Sequence, residues 1–330
     1  MLIDCLMLLA GMVLILAGAN FMTDGSAALA KRLGMSDFLV GLTVVSMMTS
    51  APELVVSVTS ALNASTEMAV GNIVGSNIFN ILVIVGISAM IKPIAVEKGV
   101  LLNEIPLVVL SSVALLVMGA APMLGDGGPM VLTRADGLIL LLFFLVFMRY
   151  TFASAKRVEP SDADPAAAEG ASRKSLPLWR AIVYVVGGLA GLVFGGDWFV
   201  DGASGVAKAA GWSEGLIGLT ILAAGTSLPE LATSVVAAVK GNPGICIGNV
   251  IGSNIFNIFF VLGLTATIKP LGFGTIGLSD LLALTAASLL FWVVASLFGR
   301  RTITRPEGAL LFILYIAYTA LLIINLPAKW

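Results

Sequence analysis

The sequence contains no histidine. Imidazole bases, serine–histidine nucleophile pairs and the commonest transition-metal ligand are therefore excluded. Cysteine is nearly as scarce. Cys5 and Cys246 stand alone in apolar stretches with no CxxC pair, which gives zinc, iron–sulfur and disulfide chemistry no foothold. Charge is the third shortage: only 11% of the 330 residues are Asp, Glu, Lys or Arg, against roughly 25% in an average soluble domain. Hydrophobic residues make up 58% and the mean hydropathy is +1.05. A compact sphere of this size cannot hide so much apolar surface from water, so a disordered chain and an ordinary cytosolic enzyme are excluded. A net charge of −1 supplies no basic field for nucleic acid. With imidazole and thiolate absent, any bound ion should be a hard cation held by oxygen.

What is present is a series of membrane-length apolar runs, about 20 residues or longer when tilted. They fall near 2–24, 37–62, 68–91, 100–119 and 135–152, then near 178–206, 214–239, 244–268, 278–298 and 308–326. Residues 153–176 interrupt the series with Lys156, Arg157, Glu159, Asp162, Asp164, Glu169, Arg173 and Lys174 and read as a solvated linker. The expected organisation is a first five-span repeat over 1–152, the linker over 153–176, and a second five-span repeat over 177–330. The first run could pass for a signal peptide, but it lacks a basic start and carries Asp4 instead.

The two halves are copies. Gly18, Asp24, Gly25, Lys31 and Gly34 return as Gly195, Asp201, Gly202, Lys208 and Gly211, each 177 residues on. At the same offset, 36–93 aligned with 213–270 without a gap gives 27 identities in 58 positions. Five spans is an odd number, so the second copy must enter the membrane upside down. Inverted repeats characterise secondary transporters whose site lies near the midplane, at the repeat interface. The linker side of this layout carries 14 Lys and Arg; the other side carries 4, namely Arg134, Lys208, Lys269 and Lys329. The positive-inside rule places the linker in the cytoplasm and both termini outside.

Most charges sit at span ends, where they can snorkel. Glu53 and Glu230, equivalent under the repeat, do not. They lie mid-span in Thr49-Ser50-Ala51-Pro52-Glu53 and Thr226-Ser227-Leu228-Pro229-Glu230. A carboxylate at that depth is costly unless paired or solvated, and no Lys or Arg lies at comparable depth in these spans. A mobile cation is the natural partner. Pro52 and Pro229 cannot return a hydrogen bond to the preceding turn, which frees carbonyls around Met48–Thr49 and Gly225–Thr226 for ions. Ser46, Ser50, Glu53 and Ser57 form one polar stripe, and Thr226, Glu230 and Thr233 or Ser234 form its counterpart. The next span places Asn72, Ser76 and Asn80 on one face, and Asn249, Ser253 and Asn257 in the second copy.

Singly, Ser, Thr and Asn within spans often serve only to bond across helices, and a proline often serves only to kink. The coincidence of Glu, Pro and Thr-Ser, twice, each followed by an oxygen-rich span, favours an ion site for the two glutamates. Asn72, Asn77, Asn249 and Asn254 stay open between packing and ligation. Asp24 and Asp201 read as structural.

The pattern Gly-Leu-Thr…Thr-Ser-x-Pro-Glu-Leu…Gly-Asn-x-x-Gly-Ser-Asn-Ile-Phe-Asn, present in both halves, resembles the alpha repeats of the cation/calcium antiporter superfamily, in particular the prokaryotic sodium/calcium exchangers. The resemblance extends over essentially the whole chain. It implies an all-α integral membrane protein with ten transmembrane helices, arranged as two inverted five-helix repeats with broken helices at the ion site. It implies Ca²⁺ held by Glu53 and Glu230 with backbone oxygens of Thr49 and Thr226. Sodium sites share the glutamates and add Ser50, Ser76, Ser227 and Ser253, with backbone at Ser46 and Ala223. The first and sixth spans are implied to slide past the core to switch access. Asn80 fits the usual first-half residue. Asn257 stands where many prokaryotic members have Asp, so the site holds two carboxylates rather than three and a charge of −2. Ser46-Met47-Met48 departs from the small approach seen at Ala224-Gly225.

The resulting expectation is an inner-membrane antiporter that moves Ca²⁺ against Na⁺, the two ions competing for the same glutamates. Its partners are those ions and the lipid bilayer, with no cofactor, no nucleic acid and no obligatory protein partner. The alternatives are a proton-coupled exchanger of Ca²⁺ or another divalent ion with the same fold, and more remotely a cation channel. A membrane enzyme has no nucleophile and base to work with.

Overall fold

The computed structural model describes residues 1–125, 127–155, 176–210, 223–297 and 301–325. The chain is built from helices. They are α1 (Leu2–Leu33), the bent pair α2 (Asp37–Thr49) and α3 (Ala51–Leu62), α4 (Thr66–Ile91), α5 (Val100–Gly119) and α6 (Arg134–Ala155). The second half supplies α7 (Leu178–Ala209), α8 (Ala223–Gly225), α9 (Leu228–Val239), α10 (Pro243–Ile268), α11 (Leu278–Leu297) and α12 (Arg305–Asn325). Among the described residues eight helices are long and apolar enough to cross a membrane, nine if α2 and α3 are one bent span. The tenth expected span, 214–239, is seen as α8 and α9; its residues 214–222 lie outside the described ones, as do residues 156–175 of the expected linker.

The expected spans and the helices agree closely in the middle of each half and diverge at α1. It runs to Leu33, nine residues beyond the apolar run, until Gly34 closes it in the left-handed conformation (φ 64°) with its N–H on the Ala30 carbonyl. Ser36 then starts α2, its hydroxyl accepting from the Leu39 N–H at 3.2 Å. α4 and α10 begin and end 177 residues apart and are the most deeply buried helices. α6 and α12 expose Leu142, Leu145, Ile313 and Ile316 outward, as lipid-facing helices must.

The first helices of the two halves run antiparallel. Along α1 and α7, Gly11 meets Phe199, Gly18 meets Gly188 and Leu192, and Gly202 meets Asp4 and Leu8, so one helix ascends as the other descends. The approach is close because both lines are glycine: a Cβ on Gly18 would lie 2.7 Å from the Gly188 carbonyl oxygen. Two short antiparallel strand pairs tie the halves together, β1 (Ile94–Ala95) with β4 (Thr302–Ile303) and β2 (Val131–Leu132) with β3 (Leu271–Gly272). One strand of each pair follows α4 or α10, and the other precedes α12 or α6.

Candidate functional site

At the centre each repeat breaks a helix. α2 ends at Thr49 and α3 starts at Ala51, with Ser50 between them at φ −84°, ψ 8° and a bend of 41°. Ser227 makes the matching break at φ −90°, ψ 6°. Pro52 and Pro229 each fall in the first turn of the following helix, where a missing N–H costs little. Neither can return that bond to Met48 or Gly225. The sequence therefore locates the interruption to within about a turn.

The two breaks exchange partners. The Ser50 hydroxyl donates to Glu230 Oε1 at 2.9 Å, and the Ser227 hydroxyl to Glu53 Oε1 at 3.3 Å. Each glutamate is thus held by the serine of the opposite repeat. Ser76 donates to Glu53 Oε1 at 3.3 Å, and its hydroxyl oxygen lies 3.0 Å from that of Ser227, so the single Ser227 proton is shared between Glu53 and Ser76. Asn257 Nδ2 donates to Ser76 at 3.3 Å and to Asn77 Oδ1 at 3.0 Å, while Asn77 Nδ2 donates to the Asn254 carbonyl at 3.2 Å. Asn77 and Asn254 are themselves equivalent positions of the sequence repeat.

Glu53, Glu230, Ser50, Ser227, Thr49, Ser253, Asn80 and Asn257 are fully buried, and Ser76 nearly so. Several of their oxygens have no hydrogen-bond partner: Glu53 Oε2, Glu230 Oε2, Asn80 Oδ1, Asn257 Oδ1 and Ser253 Oγ. Buried acceptors are normally satisfied, and a set of converging oxygens without donors fits a hard cation. Among the described residues no cationic side chain pairs with either glutamate. No group of three His, Cys, Asp or Glu side chains forms among them either. Any ion here would rest on two carboxylates and neutral oxygens.

Other expected residues point elsewhere. The Ser46 hydroxyl donates to the Leu42 carbonyl at 2.7 Å, and the Ser46 carbonyl already accepts from the Ser50 N–H at 3.0 Å. Ser57 accepts from Asn72 at 3.2 Å. The stripe read from Ser46 to Ser57 thus delivers only its middle to the centre. Ala223 lies in α8, one turn before the second break.

Three features escaped the sequence reading. Asn80 opens a wide π-helical turn over Asn80–Ile84, and Asn257 lies in another over Phe256–Leu262; such turns re-aim side chains and cluster at functional sites. Nothing in the residues announces them. The bonding of Asn72 and Asn249, left open above, is also resolved. Asn72 Nδ2 reaches the Glu53 carbonyl (3.3 Å) and Ser57 (3.2 Å), and its oxygen accepts from Thr226 (3.3 Å). Asn249 repeats this with the Glu230 carbonyl (3.4 Å), Ser234 (2.9 Å) and Thr49 (3.1 Å). The third is a cavity of about 420 Å³ between α7, α3 and the second break, lined by Asp197, Asp201, Gly225, Thr226, Pro229 and Pro52 among others. Asp197 has no counterpart in the pattern that picked out Asp24 and Asp201, since its equivalent is Asn20.

Residues 4–153 and 180–324 match the family described as sodium/calcium exchanger protein. The CaxA protein of Alkalimonas amylolytica is 39% identical over 98% of this chain and 99% of its own length. The sodium/calcium exchanger MaX1 of Methanosarcina acetivorans is 31% identical over 97% of this chain and 98% of its own. A solved structure of the sodium–calcium exchanger NCX_Mj, soaked with zero Na⁺ and Ca²⁺, superposes with a TM-score of 0.79 at 32% identity, covering 97% of this chain and 99% of that one.

Proposed function

The chain belongs to the sodium/calcium exchanger family, and from that premise we propose that it exchanges Ca²⁺ against Na⁺ across a membrane at a site built on Glu53 and Glu230. The observation that carries the site is the pair of buried carboxylates, each with one oxygen held by the serine of the opposite repeat and the other without a partner. Together they offer −2, which one Ca²⁺ or two Na⁺ balance. Ser50, Ser227, Ser76, Ser253, Asn80 and Asn257 complete the oxygen cage. Backbone carbonyls of Thr49 and Thr226, with those of Ser46 and Ala223 one turn earlier, supply the remaining oxygens at the breaks, Ser46 through the lone pair that its bond from the Ser50 N–H leaves free. Because both ions need the same two carboxylates, occupancy by one excludes the other, and that competition makes the exchange obligatory.

We place residues 1–152 and 177–330 as the two inverted five-span repeats and 153–176 as a cytoplasmic linker, in an inner membrane with both termini outside. The support is the 14-to-4 distribution of Lys and Arg. The proton-coupled alternative loses ground because the relatives that match over the whole chain include a sodium/calcium exchanger.

Sodium-gradient-driven ⁴⁵Ca²⁺ uptake into proteoliposomes tests the reading. Wild type is expected to exchange, and Glu53→Gln and Glu230→Gln to lose exchange while remaining folded. Near-normal flux in either variant overturns the site. Flux driven by a pH gradient but not by a Na⁺ gradient overturns the coupling ion.

A further inference from the structure

Two asparagines next to the glutamates behave unlike those assigned to the cage. Asn80 and Asn257 keep an oxygen without a partner. Asn72 and Asn249 do not: each amide oxygen accepts a threonine hydroxyl, and each amide nitrogen makes two bonds. In both amides the oxygen already has a donor and both N–H groups are used, so all of their polar atoms are committed to the protein. What these amides do hold is specific. One end grips the backbone carbonyl of the glutamate in the same repeat. The other end takes the hydroxyl of the threonine that precedes the break in the opposite repeat.

We propose that Asn72 and Asn249 are positioning residues that lock the break of one repeat to the glutamate helix of the other, so that Glu53 and Glu230 engage an ion as one unit. This rests on the reading of the two glutamates as ion ligands. A threonine anchored through its hydroxyl restrains the broken segment that carries its carbonyl before the ion arrives, and pre-organised ligands bind more tightly. The two clamps differ in exposure. Thr49–Asn249 is fully buried, whereas Thr226 and Asn72 are part-exposed and Thr226 lines the 420 Å³ cavity. The Thr226–Asn72 clamp is therefore the one an entering cation meets first.

The test is ⁴⁵Ca²⁺ binding and exchange for Thr226→Val, Thr226→Ser, Asn72→Ala and the double variant Asn72→Ala/Thr226→Val. Valine keeps the shape and the backbone carbonyl but removes the hydroxyl. It is expected to weaken Ca²⁺ affinity about fivefold, the worth of one lost hydrogen bond. Serine restores the hydroxyl and is expected to restore the affinity. The double variant is expected to bind no more weakly than Asn72→Ala alone, because both substitutions remove the same contact. Wild-type affinity in Thr226→Val, equal weakness in Thr226→Ser, or additive losses in the double variant each overturn the clamp. If Asn72→Ala does not fold, the valine–serine pair decides alone. Wild type that binds ⁴⁵Ca²⁺ but does not exchange it for Na⁺ would overturn the exchange reading, while the ratios between variants still decide the clamp.

Discussion

The flank where α1 meets α9 and the flank where α7 meets α3 are the same construction in two copies, yet they differ in state. α1 packs along α9 beside an apolar surface groove of about 250 Å³ lined by Met12, Ile15, Leu16, Leu228 and Leu231 among others. α7 makes little contact with α3 and leaves the larger cavity that reaches Gly225 and Thr226. The charges differ in the same sense. On the closed flank the Lys240 ammonium bridges Asp24 at 2.8 Å and the Asn20 carbonyl at 3.1 Å. On the open flank the equivalent positions are Asn63, Asp201 and Asp197: two carboxylates, and no lysine opposite them. One backbone design thus exists in a packed and an unpacked form within a single molecule. An alternating-access carrier needs both forms in turn, and the two flanks differ in side chains where the copies have diverged.

The centre should be indifferent to that difference. Glu53 and Glu230 are buried alike and each meets the break serine of the opposite repeat, with Ser76 a further donor to Glu53 alone; since each supplies one of the two carboxylates, their glutamine variants are expected to fail equally. Removing one carboxylate from a buried set costs about 3–5 kcal/mol, so ⁴⁵Ca²⁺ exchange is expected to fall by more than about 100-fold in both. A large loss in one variant and a small loss in the other would show that the asymmetry reaches the ion.

The next effect tests the shared seam rather than either flank. A Cβ on Gly188 would lie 2.6 Å from the Met22 backbone nitrogen, while one on Gly187 meets nothing within 4 Å. Gly188→Ala is expected to lower stability by about 1–3 kcal/mol, as overpacking does, seen as a fall in melting temperature of the purified protein. Gly187→Ala is expected to leave it unchanged or slightly raised. Equal melting of the two would mean that α1 and α7 separate more readily than their backbone contact implies.

These cases also show what the residues alone reveal. The span positions, the break within a turn of Ser50 and Ser227, and the pairing of Glu53 with Glu230 were all legible, because hydropathy, proline chemistry and a 177-residue repeat are local properties. The far end of α1 was not, since Ala27 and Ala30 pack against the core although Asp24 and Lys31 end the apolar run. The roles of Asn72 and Asn80 could not be separated either. Both lie on one helical face at a spacing of eight, and only the opposite repeat decides whether an amide oxygen is taken by Thr226 or left without a partner. The difference between the flanks was invisible for the same reason. It depends on where Lys240 and Asp24 meet across 216 residues of chain.

Exchanging the charge pattern between flanks gives a smaller effect. Lys240→Met removes the bridge to Asp24, and Asn63→Lys puts a lysine at the equivalent position opposite Asp201. A part-exposed ion pair contributes about 0.2–1 kcal/mol, so each change is expected to shift the balance between open flanks by up to about fivefold. Membrane-impermeant thiol labelling of Val56→Cys in the α7 cavity, with exposed Cys5 replaced by serine, reads that balance. Labelling is expected to slow in both variants, through loosening of the closed flank in one and closure of the open flank in the other. Faster labelling in either would reverse the assigned role of the lysine.

The smallest expected effect is the one most specific to the open flank. Asp197 and Asp201 are one helical turn apart on α7, both exposed and both lining the cavity. Exposed carboxylates at a cavity mouth raise the local cation concentration without binding an ion tightly, and salt screens that attraction over about 10 Å at 0.1 M. Asp197→Asn/Asp201→Asn is therefore expected to raise the Ca²⁺ concentration for half-maximal uptake from that side about twofold at low ionic strength. In 0.5 M choline chloride it is expected to match wild type. The same double change should leave the maximal rate untouched, because neither side chain bonds to Glu53 or Glu230. A loss that persists at high salt would instead make the two aspartates ligands, and the open flank would then differ from the closed one by a site rather than by a field.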